Sequence, residues 1–185
     1  MLLNACKPPV TKIEDNLERV DSTLRSVKLS VDSLKLLDVE ILAMQQKNPR
    51  LALMADSLLL TTNSAIDYID SLKQMLRTAD TAGESTAVAY KIISNNNTGV
   101  LLYSYLQQMH SRCIKSLTNQ NKATLINNVF EDEMRFSPAD VFITKCFSGT
   151  PTFAASTILT KFGNDCRKAA IIALADIKES FEQKH

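Results

Sequence analysis

Glycine, proline and tryptophan are scarce in this sequence of 185 residues, which contains four glycines, five prolines and no tryptophan. A protein of many short strands needs more turn residues than this, so the scarcity favours a few long helices. Charge of one sign is not in excess either. The formal net charge is +1, without the basic surplus of proteins that bind nucleic acids, and we therefore expect no nucleic-acid partner.

Long apolar runs are also missing. The longest candidate, residues 51–60, is interrupted by Asp56 and Ser57, so no segment has the roughly 20 apolar residues that a membrane helix requires. The composition, with 45% hydrophobic and 22% charged residues, is typical of a globular protein. The length is sufficient for one domain with a substantial core.

Residues suited to catalysis or metal binding are few. The two histidines are His110 and His185, and no arrangement of a nucleophile with a histidine base is supported. His110 and Cys113 lie on one face of a predicted helix, but a tetrahedral metal site needs two more ligands. There is no glycine-rich phosphate loop. We therefore expect a protein without catalysis, without a bound metal and without a cofactor.

The four cysteines form no pair with C-x-x-C spacing. Cys146 and Cys166 flank a predicted turn and would form a disulfide in an oxidising compartment. Buried free thiols are the alternative, because free cysteine is among the most buried residue types. The sequence leaves both open.

Apolar residues recur every three or four positions in each long segment, which predicts helices throughout. The first predicted helix starts at a capping box formed by Thr11 and Glu14 and ends near residue 47. The second covers residues 51–79, and the short link through Pro49 favours an antiparallel hairpin with the first. Further helices are predicted over residues 85–93, 98–117, 123–129 and 138–146, and from residue 152 onwards.

These elements predict an all-α, up-and-down helical bundle of about four long helices plus short ones. The domain covers residues 11–185, after an N-terminal segment of residues 1–10. The short link gives the first two helices a high effective concentration for each other. We therefore expect their apolar stripes to be buried against each other within the hairpin. We therefore expect the chain alone to be a monomer or a weak dimer.

The last helix is introduced by a break at Gly149 and Pro151, since glycine tolerates unusual backbone angles and proline lacks an N–H. Further along, a polar run of Asn164, Asp165 and Arg167 interrupts its apolar surface. One interpretation is that these side chains fix a contact between helices through hydrogen bonds or an ion pair, and Arg167 with a partly buried Asp165 is the candidate ion pair. The other interpretation is a solvated helix edge.

Three groups of residues follow one another in a recognisable order. In chain order they are Leu3, Asn4, Ala5, Tyr68, Phe147, Gly149, Pro151, Asn164, Asp165 and Arg167. The last group resembles the phenylalanine–proline–helix signature of the N-terminal periplasmic domain of the GldM/PorM family. The run around Tyr68 is similar to that domain's tyrosine-containing second helix, and the Leu-Asn-Ala run is similar to the point where the family's chain leaves the membrane.

This resemblance implies a non-enzymatic structural part of the gliding-motility and type IX secretion motor, in the periplasm, partnered by other subunits of that machine. Family members are dimers anchored in the inner membrane by a helix upstream of the Leu-Asn-Ala run. That helix and the family's later β-rich domains are not seen here, and Ala169-Ala170 replaces an acid that the family usually has. We therefore expect an excised first domain or a shortened relative.

The run that ends at Cys6, Leu-Asn-Ala-Cys, is also similar to a bacterial lipobox, in which the cysteine is lipidated. Only five residues precede Cys6, which is too few for the basic and apolar regions of a signal peptide. The alternative function is thus a free-standing periplasmic helical-bundle lipoprotein, anchored to the outer membrane through Cys6 and binding another envelope partner.

Overall fold

The computed structural model describes residues 47–83, 88–135 and 138–183. The α-helices in these ranges are α1 Pro49–Thr81, α2 Ala89–Ser94, α3 Thr98–Ser116, α4 Ala123–Val129, α5 Glu131–Met134, α6 Ala139–Phe147 and α7 Thr152–Glu182. Short 3₁₀ turns precede α3 and α4. The described residues form no strand, so the all-α prediction is confirmed. The first predicted helix and Cys6 lie outside the described residues.

Helix α1 begins where the sequence supplies both a cap and a proline. The Asn48 side chain accepts a hydrogen bond from the backbone N–H of Leu51 at 3.3 Å, and Pro49 occupies the first turn, where its missing N–H costs nothing. The helix ends just before Gly83, whose φ of +75° suits glycine. Its buried residues recur every three or four positions. They are Leu51, Ala52, Ala55, Leu58, Thr62, Ala65, Ile69, Leu72 and Leu76.

Helices α1 and α7 pack antiparallel along most of their length. At one end, the hydroxyl of Thr152 in the first turn of α7 donates to the carboxylate of Asp80 in the last turn of α1. Further along, Ile69 lies beside Gly163, and a Cβ added to that glycine would be 3.8 Å from the Ile69 side chain. This pair of helices forms the longest interface in the described part of the bundle.

Helix α3 is also antiparallel to α1. The Tyr68 hydroxyl donates to the carbonyl of Thr98, the first residue of α3, at 3.0 Å. Toward the start of α1, the Thr62 hydroxyl lies 3.5 Å from the sulfur of Met109, well along α3. Because α3 and α7 are both antiparallel to α1, they run parallel to each other. The long helices described form a bundle, as predicted, but they do not alternate strictly up and down along the chain.

Helix α6 closes the core with aromatic side chains. The ring of Phe142 lies 5.2 Å from that of Tyr103 on α3 and 5.5 Å from that of Phe162 on α7. Gly99 lets α6 approach α3 closely, because a Cβ at Gly99 would lie 2.5 Å from Cδ1 of Ile143. The short helix thus ties two of the long ones together.

The predicted break before the last helix is present. Phe147 is fully buried, Gly149 has a φ of +71°, and Pro151 immediately precedes α7. The turn is fastened to the start of α2, because the backbone N–H of Ala89 donates to the carbonyl of Thr150 at 3.0 Å.

Most predicted boundaries lie within two residues of those observed. The helix predicted over residues 85–93 is described only from Ala89, since residues 84–87 lie outside the described ranges. Helix α5 was not predicted; it is a single turn and carries too few residues to show a period. None of the described helices combines the length and the apolar character needed to cross a membrane.

Candidate functional site

Arg167 is held against its own helix by Asn164. Its Nη1 donates to Asn164 Oδ1 at 3.3 Å, and both side chains are half-buried. Arg167 does not form the predicted ion pair with Asp165. The reason is helical geometry, because residues two positions apart on a helix do not face each other, whereas residues three or four apart do.

Asp165 accepts a hydrogen bond from Lys161, one turn earlier on α7, at 2.8 Å. The same ammonium group donates to Glu133 Oε1 at 2.7 Å and so joins α7 to α5. The polar run therefore takes part in a contact between helices at Asp165, through Lys161. Its other two members are bonded to each other within α7.

Glu133 is a buried carboxylate that is only partly satisfied. It is 1% exposed, and its Oε2 has no hydrogen-bond partner among the described residues. Burial raises the pKa of Glu133, and the hydrogen bond from Lys161 opposes that rise only in part. Burial also disfavours the charged form of Lys161, but its hydrogen bonds to Asp165 and Glu133 outweigh this effect and raise its pKa.

A polar groove runs along the line where α1 and α7 pack, and we call it the seam cleft. It consists of two hollows of about 410 and 130 Å³ that share Asp70 and Lys73. Its charged and polar lining includes Asp70, Lys73 and Arg77 from α1 and Ser156, Asn164 and Arg167 from α7. Two residues of the predicted polar run are therefore part of this groove.

Cations outnumber carboxylates in the seam cleft. Lys73 pairs with Asp70 at 3.1 Å, in an exposed position where an ion pair contributes about 1 kcal/mol at most. The guanidinium of Arg77 has no hydrogen-bond or ion-pair partner among the described residues, and Arg167 has Asn164. A guanidinium carries five N–H donors, so most donors of both arginines are unused.

The other motif residues lie away from the seam cleft. The Tyr68 ring packs against Tyr105 at 4.9 Å, while its hydroxyl binds the start of α3. Burial raises the Tyr68 pKa, although the hydrogen bond to Thr98 opposes this. Phe147 belongs to the core, and Gly149 and Pro151 shape the turn before α7. These four motif residues position helices and present no chemistry to solvent.

A buried carboxylate that sequence reasoning missed lies near the end of α7. Asp176 is 2% exposed, and its Oδ2 accepts hydrogen bonds from the Thr118 backbone N–H at 2.6 Å, the Thr118 hydroxyl at 2.7 Å and the Asn119 N–H at 3.1 Å. The Lys122 ammonium lies 3.2 Å from Oδ1. Burial alone would raise the pKa of Asp176, but these bonds outweigh it and the pKa is lowered.

The thiols of Cys113 and Cys166 are free and buried, so the disulfide between Cys146 and Cys166 is not formed. Burial raises the pKa of Cys113 to about 12 and also raises that of Cys166. Because the thiolate is the nucleophilic form, both thiols are unreactive in this fold. His110 hydrogen-bonds Asn127 at 2.8 Å, and the described residues contain no group of three potential metal ligands.

A second polar hollow, of about 320 Å³, lies on the outer face of α3, and we call it the α3 hollow. Arg112 and Lys115 supply its charge, and Thr61 is the residue that α1 contributes. Nearly all of its lining comes from one helix, whereas the seam cleft is formed by two.

No protein-family model matches the chain, and no curated protein matches its sequence significantly. The resemblance to the GldM/PorM domain therefore rests on the motif residues alone.

Proposed function

We propose that the chain is a non-enzymatic interaction module of a cell-envelope machine, similar to the first periplasmic domain of the GldM/PorM shaft proteins. The observation that carries the interaction role is the seam cleft, where two helices place Lys73, Arg77 and Arg167 around one groove. Arg77 and Arg167 use few of their donors within the described chain, so these donors are available to a partner.

The placement of the motif residues supports the family proposal. Phe147 fills the core, the turn at Gly149 follows, and Pro151 stands directly before a helix of 31 residues. This is the order of the family's phenylalanine–proline–helix signature. In the family, such a helix belongs to a periplasmic part that carries force between other subunits.

The absence of catalysis is also a proposal, and it has physical support within the described residues. The buried thiols of Cys113 and Cys166 are held protonated, and His110 is engaged with an amide. Neither group has the nucleophile-and-base geometry that covalent catalysis requires.

Photocrosslinking in living cells tests the interaction role. A photoreactive phenylalanine analogue is placed at Gln74 or Ser156 in the seam cleft and, as the control, at Gln107 in the α3 hollow. We expect the cleft positions to yield an adduct with another envelope protein, and we expect deletion of the gene to abolish secretion and gliding. Adducts with cytoplasmic proteins only, or undisturbed secretion after deletion, would contradict the proposal.

The second candidate is a periplasmic lipoprotein, which the Leu-Asn-Ala-Cys run ending at Cys6 favours. Translation of the DNA upstream of Met1 separates the two candidates. A membrane helix with an embedded acid supports the motor subunit, whereas a basic stretch followed by a short apolar run supports the lipoprotein. Mass spectrometry of the mature protein then shows a lipid on Cys6 or its absence, with Cys6→Ser as the control.

Self-association is expected to be weak. We propose that the chain alone is a monomer, or a dimer with a dissociation constant no tighter than about 1 μM, which corresponds to about −8 kcal/mol. In the family, membrane helices and later domains also hold the two copies together. Sedimentation velocity over a concentration series measures this, and a dimer that persists at nanomolar concentration would contradict it.

A further inference from the structure

We infer that the seam cleft binds an acidic segment of a partner protein, with partner carboxylates paired to Arg77 and Arg167. This inference rests on the proposed interaction function and specifies the chemistry of the partner. It is supported by the charge of the cleft, by its length and by the way in which Arg167 is held.

The charge balance of the cleft favours a partner with carboxylates. Asp70 is the acidic residue in its lining, and Lys73 compensates that carboxylate at 3.1 Å. The guanidinium groups of Arg77 and Arg167 then remain as uncompensated positive charge. Guanidinium binds a carboxylate through two parallel hydrogen bonds, which is the strongest and most directional pairing that a side chain of this kind makes.

The length of the cleft fits a short peptide segment. The Arg167 guanidinium lies over Gly163, which is beside Ile69, so it is level with a position about eight residues from Arg77 along α1. At 1.5 Å per residue this corresponds to roughly 12 Å along the cleft. An extended segment of about four residues spans this distance at 3.3 Å per residue.

Arg167 is positioned before any partner arrives. Asn164 fixes its Nη1 at 3.3 Å, and the guanidinium lies over Gly163, since a Cβ there would be 3.5 Å from Nη1. A side chain that is already ordered loses less rotamer freedom when it binds. Ser156 and Thr160 line the cleft between the two anchors. The Thr160 hydroxyl donates to the Ser156 carbonyl at 2.8 Å, so it can accept a hydrogen bond from a bound backbone N–H.

The α3 hollow provides the matched comparison. Arg112 and Lys115 also give it two positive charges, but no side-chain hydrogen bond among the described residues holds either of them. Attraction of an acidic peptide to overall positive charge would involve both surfaces equally. Specific recognition would involve the seam cleft alone, and the two surfaces therefore serve as test and control.

The probe is hexaglutamate, with hexaglutamine as the neutral control, added to the full ¹⁵N-labelled chain and followed by amide chemical shifts. We expect hexaglutamate to shift the amides of Ser156, Thr160 and Gly163 and hexaglutamine to leave them unchanged. Replacing both Arg77 and Arg167 by alanine should weaken binding at least about tenfold, because two charge-assisted pairs are lost. The double variant Arg112→Ala with Lys115→Ala should bind hexaglutamate with the same affinity as the wild type.

Three outcomes would overturn the inference. The first is no cleft shift at millimolar hexaglutamate. The second is an equal loss of binding in both double variants, which means non-specific attraction. The third is inorganic phosphate binding at the same amides and displacing hexaglutamate at lower concentration, which identifies a phosphate site. Spectral dispersion of each variant shows that it is folded. Failure of the peptide test with successful crosslinking in cells would leave the proposed function intact and remove only the acidic partner.

Discussion

Two regions along α7 differ in how their charged groups are satisfied: the surroundings of Asp176 near its C-terminal end, and the seam cleft that it forms with α1. Near its C-terminal end, Asp176 is buried, accepts two hydrogen bonds from Thr118 and pairs with Lys122. In the seam cleft, Arg77 on α1 has no partner among the described residues, and Arg167, at the middle of α7, has one amide oxygen. The difference indicates that the first kind of charge contributes to folding, whereas the second kind is available for binding.

A second comparison explains the direction of the pKa shifts. Asp176 on α7 and Glu133 on α5 are both buried, yet the pKa of Asp176 is lowered and that of Glu133 is raised. Asp176 Oδ2 accepts three hydrogen bonds, whereas Glu133 Oε2 accepts none among the described residues. The supply of hydrogen-bond donors, and not burial alone, decides the direction in which the pKa of a buried carboxylate shifts in this core.

The largest expected effect comes from Asp176→Asn. The amide cannot satisfy both the loop donors of Thr118 and the ammonium of Lys122, so we expect the free energy of unfolding to fall by about 3 kcal/mol. Urea denaturation measures this. The control is Glu179→Gln, which removes the other partner of the same lysine at a 57%-exposed position and should change stability by less than about 0.5 kcal/mol.

The pH dependence of the stability difference between the wild type and Asp176→Asn provides a second test. Because the folded pKa of Asp176 lies below its ordinary value of 3.8, its stabilisation is complete above pH 3.8 and is lost as the pH falls through the folded pKa. The stability gap between the wild type and Asp176→Asn should therefore narrow in acid. A gap that is constant from neutral to strongly acidic pH would show that the carboxylate charge is unimportant.

The next prediction compares alanine substitutions at two glycines, Gly99 in the closed core and Gly163 in the open seam cleft. Gly99→Ala places a methyl group 2.5 Å from the Ile143 side chain, so we expect a loss of about 1–2 kcal/mol in the free energy of unfolding. Gly163→Ala meets its nearest atom at 3.5 Å, so the better helix propensity of alanine should stabilise the fold by up to about 1 kcal/mol. Thermal denaturation of both variants measures this, and a loss at both sites would mean that the cleft floor is packed as tightly as the core.

Much of the fold was predictable because each long helix buries residues every three or four positions, and because Gly149 and Pro151 mark the turn before α7. The pairing within the polar run was also accessible, since spacing alone allows Arg167 to meet Asn164 and not Asp165. The seam cleft itself was not predictable, because it depends on the register between α1 and α7, which no local pattern sets.

Asp176 shows what local patterns do contain and what they leave out. It lies between Ala173 and Ile177 on the apolar stripe of α7, and a charged residue at such a position is a signal of a buried polar contact. Its partner Thr118 is 58 residues away in the sequence. The stripe could therefore have identified the residue, but only the tertiary structure identifies the partner.

A smaller effect concerns Glu133. Because its folded pKa is raised above the ordinary value of 4.5, the native state holds a proton that the unfolded state releases, and stability declines as the pH rises from 4.5 through the folded pKa. Glu133→Gln cannot titrate, so this part of the decline should be missing in its stability–pH profile. Glu131→Gln, at a 63%-exposed position on the same helix, is the control and should keep the wild-type slope. Parallel profiles for Glu133→Gln and the wild type would contradict the assignment.

The most direct test of the central claim compares the stability contributed by Asp176 with that contributed by the two arginines of the seam cleft. Urea denaturation is measured for Asp176→Asn and for the double variant Arg77→Ala with Arg167→Ala. We expect a loss of about 3 kcal/mol for the first and less than about 1 kcal/mol for the second, because Arg77 is exposed and the half-buried Arg167 bonds one amide oxygen on its own helix. A loss in the double variant as large as that in Asp176→Asn would show that the cleft arginines hold the fold together and are not reserved for a partner.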